Sequence, residues 1–206
     1  MTLPEQVHMA DPATLAARLV AEVALVSAAA VGSRGAWSLA IPGGSVVDVL
    51  LPALARAELP WDRAHLFQCD ERVVPLGDAR SNWDALQRLG RMMARLHGAT
   101  LHRMPVELGD DAVRAYTSRL EQVGGRPPAL DVVLLGMGED GHVASLFPGR
   151  AALDVEDAAV VIEPDAPKAP PRRLSLTMPV LTGASLTVVA AFGPGKAGAA
   201  RAAFDP

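Results

Sequence analysis

Apolar residues recur near the start of the chain at the spacing of one face of an amphipathic helix. The residues of this stripe are Leu15, Leu19, Val23 and Val26. Asp11 followed by Pro12 is typical of a helix start, because aspartate caps free N–H groups and proline is tolerated at the first helical position. Gly32, after the last apolar turn, predicts the end of this helix.

Further along, short apolar runs alternate with helical patterns. The runs that predict strands are 37–41, 65–69, 101–106, 131–135, 159–162, 173–177 and 185–192. The helical patterns begin near Ser45 and Lys196 and span 82–96 and 110–123. Such alternation is typical of a mostly parallel sheet covered on both faces. The sequence therefore predicts an α/β fold in one domain over residues 1–206, Rossmann-like, with a mostly parallel sheet and helices on both faces.

Composition narrows the range of partners. Half of the 206 residues are apolar, which is ordinary for a soluble globular domain. The formal net charge is −4, which disfavours nucleic acid and anionic membranes, so affinity for an anion has to come from local geometry. The single cysteine, Cys69, cannot form an internal disulfide, which fits a reducing compartment.

The N-terminal region bears on location. It has no basic n-region, so a secretory signal is not expected. The apolar stretch 15–31 contains Arg18 and Glu22, and we interpret it as too short to cross a bilayer. We therefore expect a cytoplasmic protein that has no membrane partner.

Glycine-rich or charged segments follow several predicted strands. They are Gly43-Gly44-Ser45, Asp70-Glu71-Arg72, 136–142 and the stretch at Lys196. Ligands bind outside the carboxyl ends of the strands in open parallel sheets. We therefore expect these segments to meet in one site.

The segment Gly43-Gly44-Ser45 is suited to binding an anion. Its glycines let the backbone approach a ligand closely, and the helix that starts near Ser45 offers free N–H groups and a positive dipole end. The competing interpretation is a tight turn in which Ser45 is the helix N-cap. The lysine of a P-loop is absent, which disfavours a nucleoside triphosphate.

The charged residues at the strand ends have two interpretations. Most surface charges are simply solvated. Alternatively, Asp70 and Arg72 point into the cleft, where an acid orients a base or a hydroxyl and an arginine holds an anion. Lys196 and one of Arg172 and Arg173 are then placed to close on the same anion.

The segment 136–142 contains G-x-G-x-x-G after an apolar run, which is the pattern of a dinucleotide-binding turn. Such a turn needs a long helix behind it, but Phe147-Pro148-Gly149 interrupts helix formation. The turn also delivers His142, whose imidazole suits general-base work on water, with Asp140 placed to hold its tautomer. A packed or surface histidine is the competing interpretation. No Gly-x-Ser-x-Gly elbow or metal-ligand spacing occurs, so neither a serine hydrolase nor a metal site is expected.

These segments together resemble the 6-phosphogluconolactonase family. The matching stretches are IPGGS, DERVVP, SNWDAL, DVVLLGMGEDGHVASLFPG, PPRRLSLTMPVLTGAS and GPGKAG, in this order from about residue 11 onward. The resemblance implies a fold shared with sugar-phosphate isomerases and deaminases. It also implies hydrolysis of 6-phosphogluconolactone in the pentose phosphate pathway, without a cofactor or a metal.

The resemblance also implies roles for individual residues. His142 is the base that activates water against the lactone carbonyl, and we count Asp70 and Asp140 with it as catalytic residues. The implied residues for the substrate and its 6-phosphate are Gly43, Gly44, Ser45, Arg72, Arg173 and Lys196. The expected partner is a small sugar phosphate, and the expected state is a monomer or a weak homodimer.

The sequence departs from the family pattern at several places. Val143 stands where a threonine is usual, which removes a hydroxyl from the expected active-site helix, and Val46-Val47 replaces the common Thr-Pro. Gln68-Cys69 replaces the usual aromatic-glycine pair before the acid. The chain also ends at Pro206, where family members continue with a further strand and helix, so we expect a domain that is short at this end.

Three other functions stay open at this point. A glucosamine-6-phosphate deaminase-like enzyme shares the fold and a Gly-x-Asp-Gly-His segment. Its family typically has tyrosine at the position of Arg72 and Ala-Phe-Asn-Glu-Pro at 144–148, and both differences favour the lactonase. The others are a sugar-phosphate-binding protein without turnover and, least favoured, a dinucleotide oxidoreductase.

Overall fold

Helices and strands alternate along the chain. In the computed structural model, which describes residues 11–84, 86–87 and 98–204, the helices are α1 (Pro12–Arg34), α2 (Ser45–Arg56), α3 (Asp111–Gly124), α4 (Met178–Thr182) and α5 (Ala197–Phe204). The strands are β1 (Trp37–Ile41), β2 (Ala64–Gln68), β3 (Asp70–Arg72), β4 (Thr100–His102), β5 (Val132–Gly136), β6 (Val160–Glu163), β7 (Arg173–Leu176) and β8 (Leu186–Ala190). Of the predicted helix 82–96, residues 82–84 and 86–87 are helical, and the rest lies outside the described residues.

The larger sheet is parallel, as predicted. Its strands lie in the order β4-β2-β1-β5-β8, and every pairing between them is parallel. From β1 the chain first builds outward through β2 to β4, and it then builds the other side through β5 and β8. The order therefore reverses between β1 and β5, which is the point where open parallel sheets bind ligands.

Helices cover both faces of this sheet, which confirms the predicted fold class. Alternate residues of a strand point to opposite faces. Leu39 of β1 and Leu134 of β5 belong to the core under α1 and α2, whereas Ala40 and Val133 belong to the core that contains the buried face of α3. Each face of the sheet thus has a hydrophobic core of its own.

A second, antiparallel sheet in the order β3-β7-β6 was not expected from the sequence. Cys69 is the residue at which the chain passes from one sheet to the other. Its N–H donates to Ile41 O at 2.9 Å in the parallel sheet, and its carbonyl accepts from Leu176 N at 2.8 Å in the antiparallel sheet. This transfer places Asp70–Arg72 directly beyond the carboxyl end of β2.

Helix α1 starts as predicted and ends later than predicted. The Asp11 carboxylate accepts from Thr14 N, with Pro12 at the first position of the helix. The helix runs past Gly32 to Arg34 and is capped by Gly35, whose φ of 77° is left-handed. Gly32 lies on the exposed side, where a helical glycine costs about 1 kcal/mol but does not have to break the helix.

The length of α1 corrects one interpretation made from the sequence. Its 23 residues, with a mean hydropathy of 1.8 over an 18-residue window, are long and apolar enough to cross a membrane by length and composition alone. The interpretation that this stretch is too short is therefore wrong. Within the fold, Leu19 and Val23 of this helix pack in the core beside α2 and β1, and 28% of the window is buried.

Candidate active site

A cleft of about 440 Å³ opens where the strand order of the parallel sheet reverses. The predicted residues that line it are Gly43, Gly44, Ser45, Asp70, Arg72, His142, Arg173 and Lys196. Asp140 is not among the lining residues, but it hydrogen-bonds His142. The fold thus brings together segments that are separated by as many as 150 residues, because the carboxyl ends of parallel strands share one edge.

The turn after β1 presents backbone donors to the cleft. Gly44 is the N-cap of α2, with a φ of 76°, and Ser45 is the first helical residue, so the interpretation of Ser45 as the N-cap is wrong. No side chain caps the helix. The first N–H groups of a helix have no partner inside it, and Ser45 and Val46 both lie at the cleft wall. These amides form an anion-binding surface at the positive end of the helix dipole.

Asn82, which sequence reasoning missed, joins this turn to β3. A Cβ on Gly43 would overlap the Asn82 amide, so only glycine fits at position 43. The same amide group donates through Nδ2 to the Asp70 carbonyl at 3.0 Å and to Asp70 Oδ1 at 3.1 Å. The stretch SNWDAL marked this segment in the resemblance, but no pattern in one sequence reveals a contact across 40 residues.

Asp70 lies on the cleft floor with both carboxylate oxygens engaged. Oδ2 accepts from Ser145 Oγ at 2.7 Å, and Oδ1 accepts from Asn82. Burial raises the pKa of Asp70. The Ser145 hydrogen bond and the charge of Arg72 lower it only in part, so the pKa stays above its usual value. An acid in this position is suited to orienting its neighbours.

Arg72 and Arg173 face each other across the β3–β7 pairing. Arg173 is buried and donates from Nε to Pro170 O at 2.6 Å and from Nη2 to Lys168 O at 2.8 Å. Burial lowers its pKa, and the charge of Arg72 lowers it further. Arg72 donates from Nη1 to Arg80 O at 2.6 Å, but its buried Nε has no partner among the described residues.

Arg172 lies outside the cleft, which decides between the two arginines that the sequence left open. Its guanidinium donates from Nη2 to Asp110 Oδ1 at 2.7 Å. Neighbouring residues on a strand point to opposite sides, so only one of the pair reaches the cleft. Arg173 is that residue.

His142 is held by Asp140 and by an aromatic ring. Its Nδ1 lies 2.5 Å from Asp140 Oδ1, and its ring stacks on Phe147 with the centroids 4.4 Å apart. Burial raises the pKa of Asp140, but the hydrogen bond and charge of His142, together with Lys168, outweigh it, and the pKa lies below its usual value. Asp140 is therefore a carboxylate at neutral pH and accepts the Nδ1 proton, which leaves the Nε2 lone pair available. Nε2 makes no hydrogen bond to the described residues.

The glycines of 136–142 serve this histidine turn. A Cβ on Gly138 would overlap the His142 ring, and Gly141 has a φ of 83°. Gly138 N donates to His142 O at 2.8 Å, which closes the turn. Bridges and turns follow instead of a helix, so the expected active-site helix at Val143 is wrong and the helix required by a dinucleotide is missing from this stretch.

Two further charged residues line the cleft that sequence reasoning did not select. Lys168 Nζ lies 3.4 Å from Asp140 Oδ1, and Glu139 packs against Gly195, where a Cβ would meet its Oε1 at 2.6 Å. Lys168 belongs to a proline-rich loop, and nothing in its spacing distinguishes it from an ordinary surface lysine. The lining cations, Arg72, Lys168, Arg173 and Lys196, outnumber the lining acids, Asp70 and Glu139. The cleft thus favours an anion although the whole chain is acidic.

Within the part of the chain that the structure describes, no cluster of three or more histidine, cysteine, aspartate or glutamate side chains is arranged to hold a metal ion. The chemistry available from these residues is a base whose tautomer is fixed, next to an anion-binding surface. Such a set is suited to activating water against a substrate that carries a phosphate or another anion.

Comparison with known proteins gives one consistent result. The family model described as glucosamine-6-phosphate isomerases/6-phosphogluconolactonase matches residues 10–206. The chain is 35% identical over 198 residues to a 6-phosphogluconolactonase of Rattus norvegicus, which covers 91% of the chain and 76% of the relative. It is also 35% identical over 195 residues to the GDH/6PGL endoplasmic bifunctional protein of Oryctolagus cuniculus, covering 90% of the chain and 24% of that longer protein.

A solved structure agrees in fold. The crystal structure of a 6-phosphogluconolactonase from Shewanella baltica superposes with a TM-score of 0.75 at 26% identity. The match covers 96% of this chain and 85% of the other.

Proposed function

The chain belongs to the glucosamine-6-phosphate isomerase/6-phosphogluconolactonase family, and on this premise we propose that it hydrolyses 6-phospho-D-glucono-1,5-lactone to 6-phosphogluconate in the oxidative pentose phosphate pathway. The observation that carries the proposal is the position of His142. Its Nδ1 is committed to Asp140, and the ring lies on the wall of a cleft that is rich in cations. A lactone with a phosphate at its far end meets both features of this cleft.

In the proposed reaction, His142 Nε2 takes a proton from a water molecule as the water oxygen bonds to the lactone carbonyl carbon. Asp140 keeps the proton on Nδ1 and stabilises the imidazolium that forms. The bond from the carbonyl carbon to the ring oxygen then breaks, and the imidazolium returns the proton to that oxygen. The products are the open-chain hydroxyl and a carboxylic acid, which ionises. General-base catalysis of this kind contributes about 10²- to 10⁴-fold.

Binding of the phosphate holds the lactone at attack distance. The N–H groups at Gly44–Val46 and the side chains of Lys196 and Arg173 are the proposed phosphate ligands. This anchoring makes attack by water effectively intramolecular. We assign Arg72 to the developing oxyanion, since its Nε is buried at the cleft without a partner among the described residues.

Asp70 is proposed to orient the site rather than to move protons. Both of its oxygens already accept hydrogen bonds, from Ser145 and Asn82. It therefore fixes two neighbouring segments relative to each other. The sequence counted it as catalytic, and this narrower role stays a proposal.

The test is the release of acid from freshly generated lactone, measured above the spontaneous rate. We expect His142→Ala to lower kcat at pH 7.5 by about 10²- to 10⁴-fold, because only the general base is removed. His65→Gln is the matched control, since His65 lies on β2 and pairs with His102 away from the cleft. A His142→Ala variant with a near-normal rate would refute the mechanism.

Substrate choice separates the remaining rivals. A deaminase-like enzyme would release ammonia from glucosamine 6-phosphate, and a binding protein would bind 6-phosphogluconate without accelerating lactone hydrolysis. We expect acceleration with the lactone and no ammonia. The opposite pattern would move the assignment to the deaminase branch of the family.

Location and assembly remain predictions. One relative is named endoplasmic, so the cytoplasmic expectation does not follow from family membership. Fractionation of cells that express the full chain tests it. A monomer or weak homodimer remains the expected assembly, and light scattering over a range of concentrations distinguishes the two.

A further inference from the structure

Glu71 is a buried acid that neither the family resemblance nor the mechanism above uses. It lies on β3 between Asp70 and Arg72, is 1% exposed, and does not line the cleft. A charged group removed from water is costly unless hydrogen bonds replace its hydration. Its surroundings therefore need an explanation.

Five donors surround the Glu71 carboxylate. Oε1 accepts from Arg72 N at 2.6 Å and from Asn82 N at 2.7 Å. Oε2 accepts from Gln68 Nε2 at 2.8 Å, Trp83 N at 2.7 Å and Ser81 Oγ at 3.0 Å. An acceptor-only carboxylate has about four lone-pair sites, so this group is saturated with donors. Two of the donors are N–H groups at the start of a helix, where a negative charge is stabilised.

These hydrogen bonds fix two residues that line the cleft. One is Arg72, through its own N–H. The other is Asn82, whose side chain packs against Gly43 and donates to Asp70. The backbone of Asn82 is thus anchored by Glu71, while its side chain sets the spacing between β3 and the anion-binding turn.

We infer that Glu71 is a positioning residue for anion binding, which holds Arg72 and Asn82 so that the turn at Gly43 keeps its binding geometry. The inference rests on the proposed function for its substrate. It assigns to Glu71 an effect on KM and on phosphate affinity, while the proton transfer at His142 proceeds as before.

Glu71→Gln tests this role directly. The amide nitrogen replaces an acceptor with a donor and faces N–H groups that have no other partner, so the segment at 81–83 moves. We expect KM for the lactone to rise about 10-fold, with the Kd of inorganic phosphate by calorimetry rising by the same factor and kcat changing less than about 3-fold.

Asp131→Asn is the matched control. Asp131 is also a buried acid, and it accepts from Ser38 N at 2.8 Å, Ser38 Oγ at 2.9 Å and Arg34 at 2.5 Å. It lies just before β5, at the amino ends of the strands and so at the opposite edge from the cleft. We expect this variant to lose thermal stability but to keep KM and the phosphate Kd within about 2-fold of wild type.

Ser81→Ala covers the case in which Glu71→Gln does not fold. It removes one of the five hydrogen bonds, and we expect KM and the phosphate Kd to rise together by about 3-fold. Unchanged values in the folded variants, or equal changes in Asp131→Asn, would overturn the role of Glu71. Phosphate titration does not depend on turnover, so it tests Glu71 even where the wild-type chain fails to hydrolyse the lactone. The two failures are therefore distinguishable.

Discussion

At the scale of single residues, Gly138 shows how closely the turn is fitted to its histidine. A Cβ at this position would overlap the His142 ring, so Gly138→Ala has to displace the imidazole. We expect kcat for lactone hydrolysis to fall by about 100-fold, because a shift of about 1 Å in a reacting group has that effect. Steady-state kinetics of the purified variant measure the change.

Gly32→Ala is the control for this variant. Nothing lies within 4 Å of a Cβ built on Gly32, which is a helical residue of α1. Alanine there should leave kcat unchanged and raise the free energy of unfolding by up to about 1 kcal/mol. An active Gly138→Ala variant would show that the turn opens without cost, and the fit of this glycine to the ring would then carry no functional weight.

The residues that the sequence did not reveal are those whose roles depend on distant partners. Gly44 and His142 follow strands in a recognisable pattern, and the parallel sheet brings them to one edge. Lys168 and Asn82 have no such signal. Their positions depend on contacts with Asp140 and Gly43, which only the folded chain defines.

At the scale of elements, the edge between β2 and β4 contains a pair of histidines that responds to pH. His65 Nδ1 and His102 Nε2 are 2.9 Å apart, and His102 also stacks on Phe67. Burial lowers the pKa of His102 to about 4, with help from the charges of His65 and Arg119, and burial also lowers the pKa of His65. The folded chain thus binds protons on this pair less readily than the unfolded chain does.

The sign of the effect on stability follows from these directions. Above the usual histidine pKa of about 6.5, neither state is protonated and the pair has no pH effect. As the pH falls from about 6.5 towards 4, the unfolded chain takes up protons first, so the free energy of unfolding falls. For a pair that is only partly buried, we expect a loss on the order of 2 kcal/mol.

Urea denaturation at pH 7.5, 5.5 and 4.5 measures this loss. Buried carboxylates also titrate in acid, so the informative quantity is the difference between the wild-type chain and His102→Gln. We expect the variant to lose less stability between pH 6.5 and 4.5. Parallel curves for the two proteins would mean that the pair does not titrate as its burial implies.

Elements also differ in how well the sequence predicts them. Buried strands such as β1 and β5 read clearly because apolar runs between turns have few alternatives. The start of α1 is encoded locally by Asp11 and Pro12, but its end is not, because Gly32 is tolerated where Gly35 is required. The antiparallel sheet escaped prediction because strands as short as β3, with three residues, are defined by their partners.

At the scale of the whole molecule, local and total charge have opposite signs. The chain has a net charge of −4, whereas the cleft wall has more cations than acids. Attraction between the cleft and a phosphorylated lactone therefore acts over short distances, against a weakly repulsive background. Salt screens such forces, with a Debye length of about 30 Å at 0.01 M and about 8 Å at 0.15 M.

Ionic strength therefore separates binding of the phosphate from the chemical step. Between 0.01 and 0.15 M salt we expect KM for the phosphorylated lactone to rise by about 3-fold, while kcat stays constant because the transferred proton is exchanged inside the cleft. Unphosphorylated glucono-1,5-lactone has no charge to screen, so its kcat/KM should not change. Kinetics at constant pH in sodium chloride measure both substrates side by side. Equal salt dependence for the two lactones would mean that the cations of the cleft do not bind the phosphate, and the anion would have to be assigned elsewhere on the molecule.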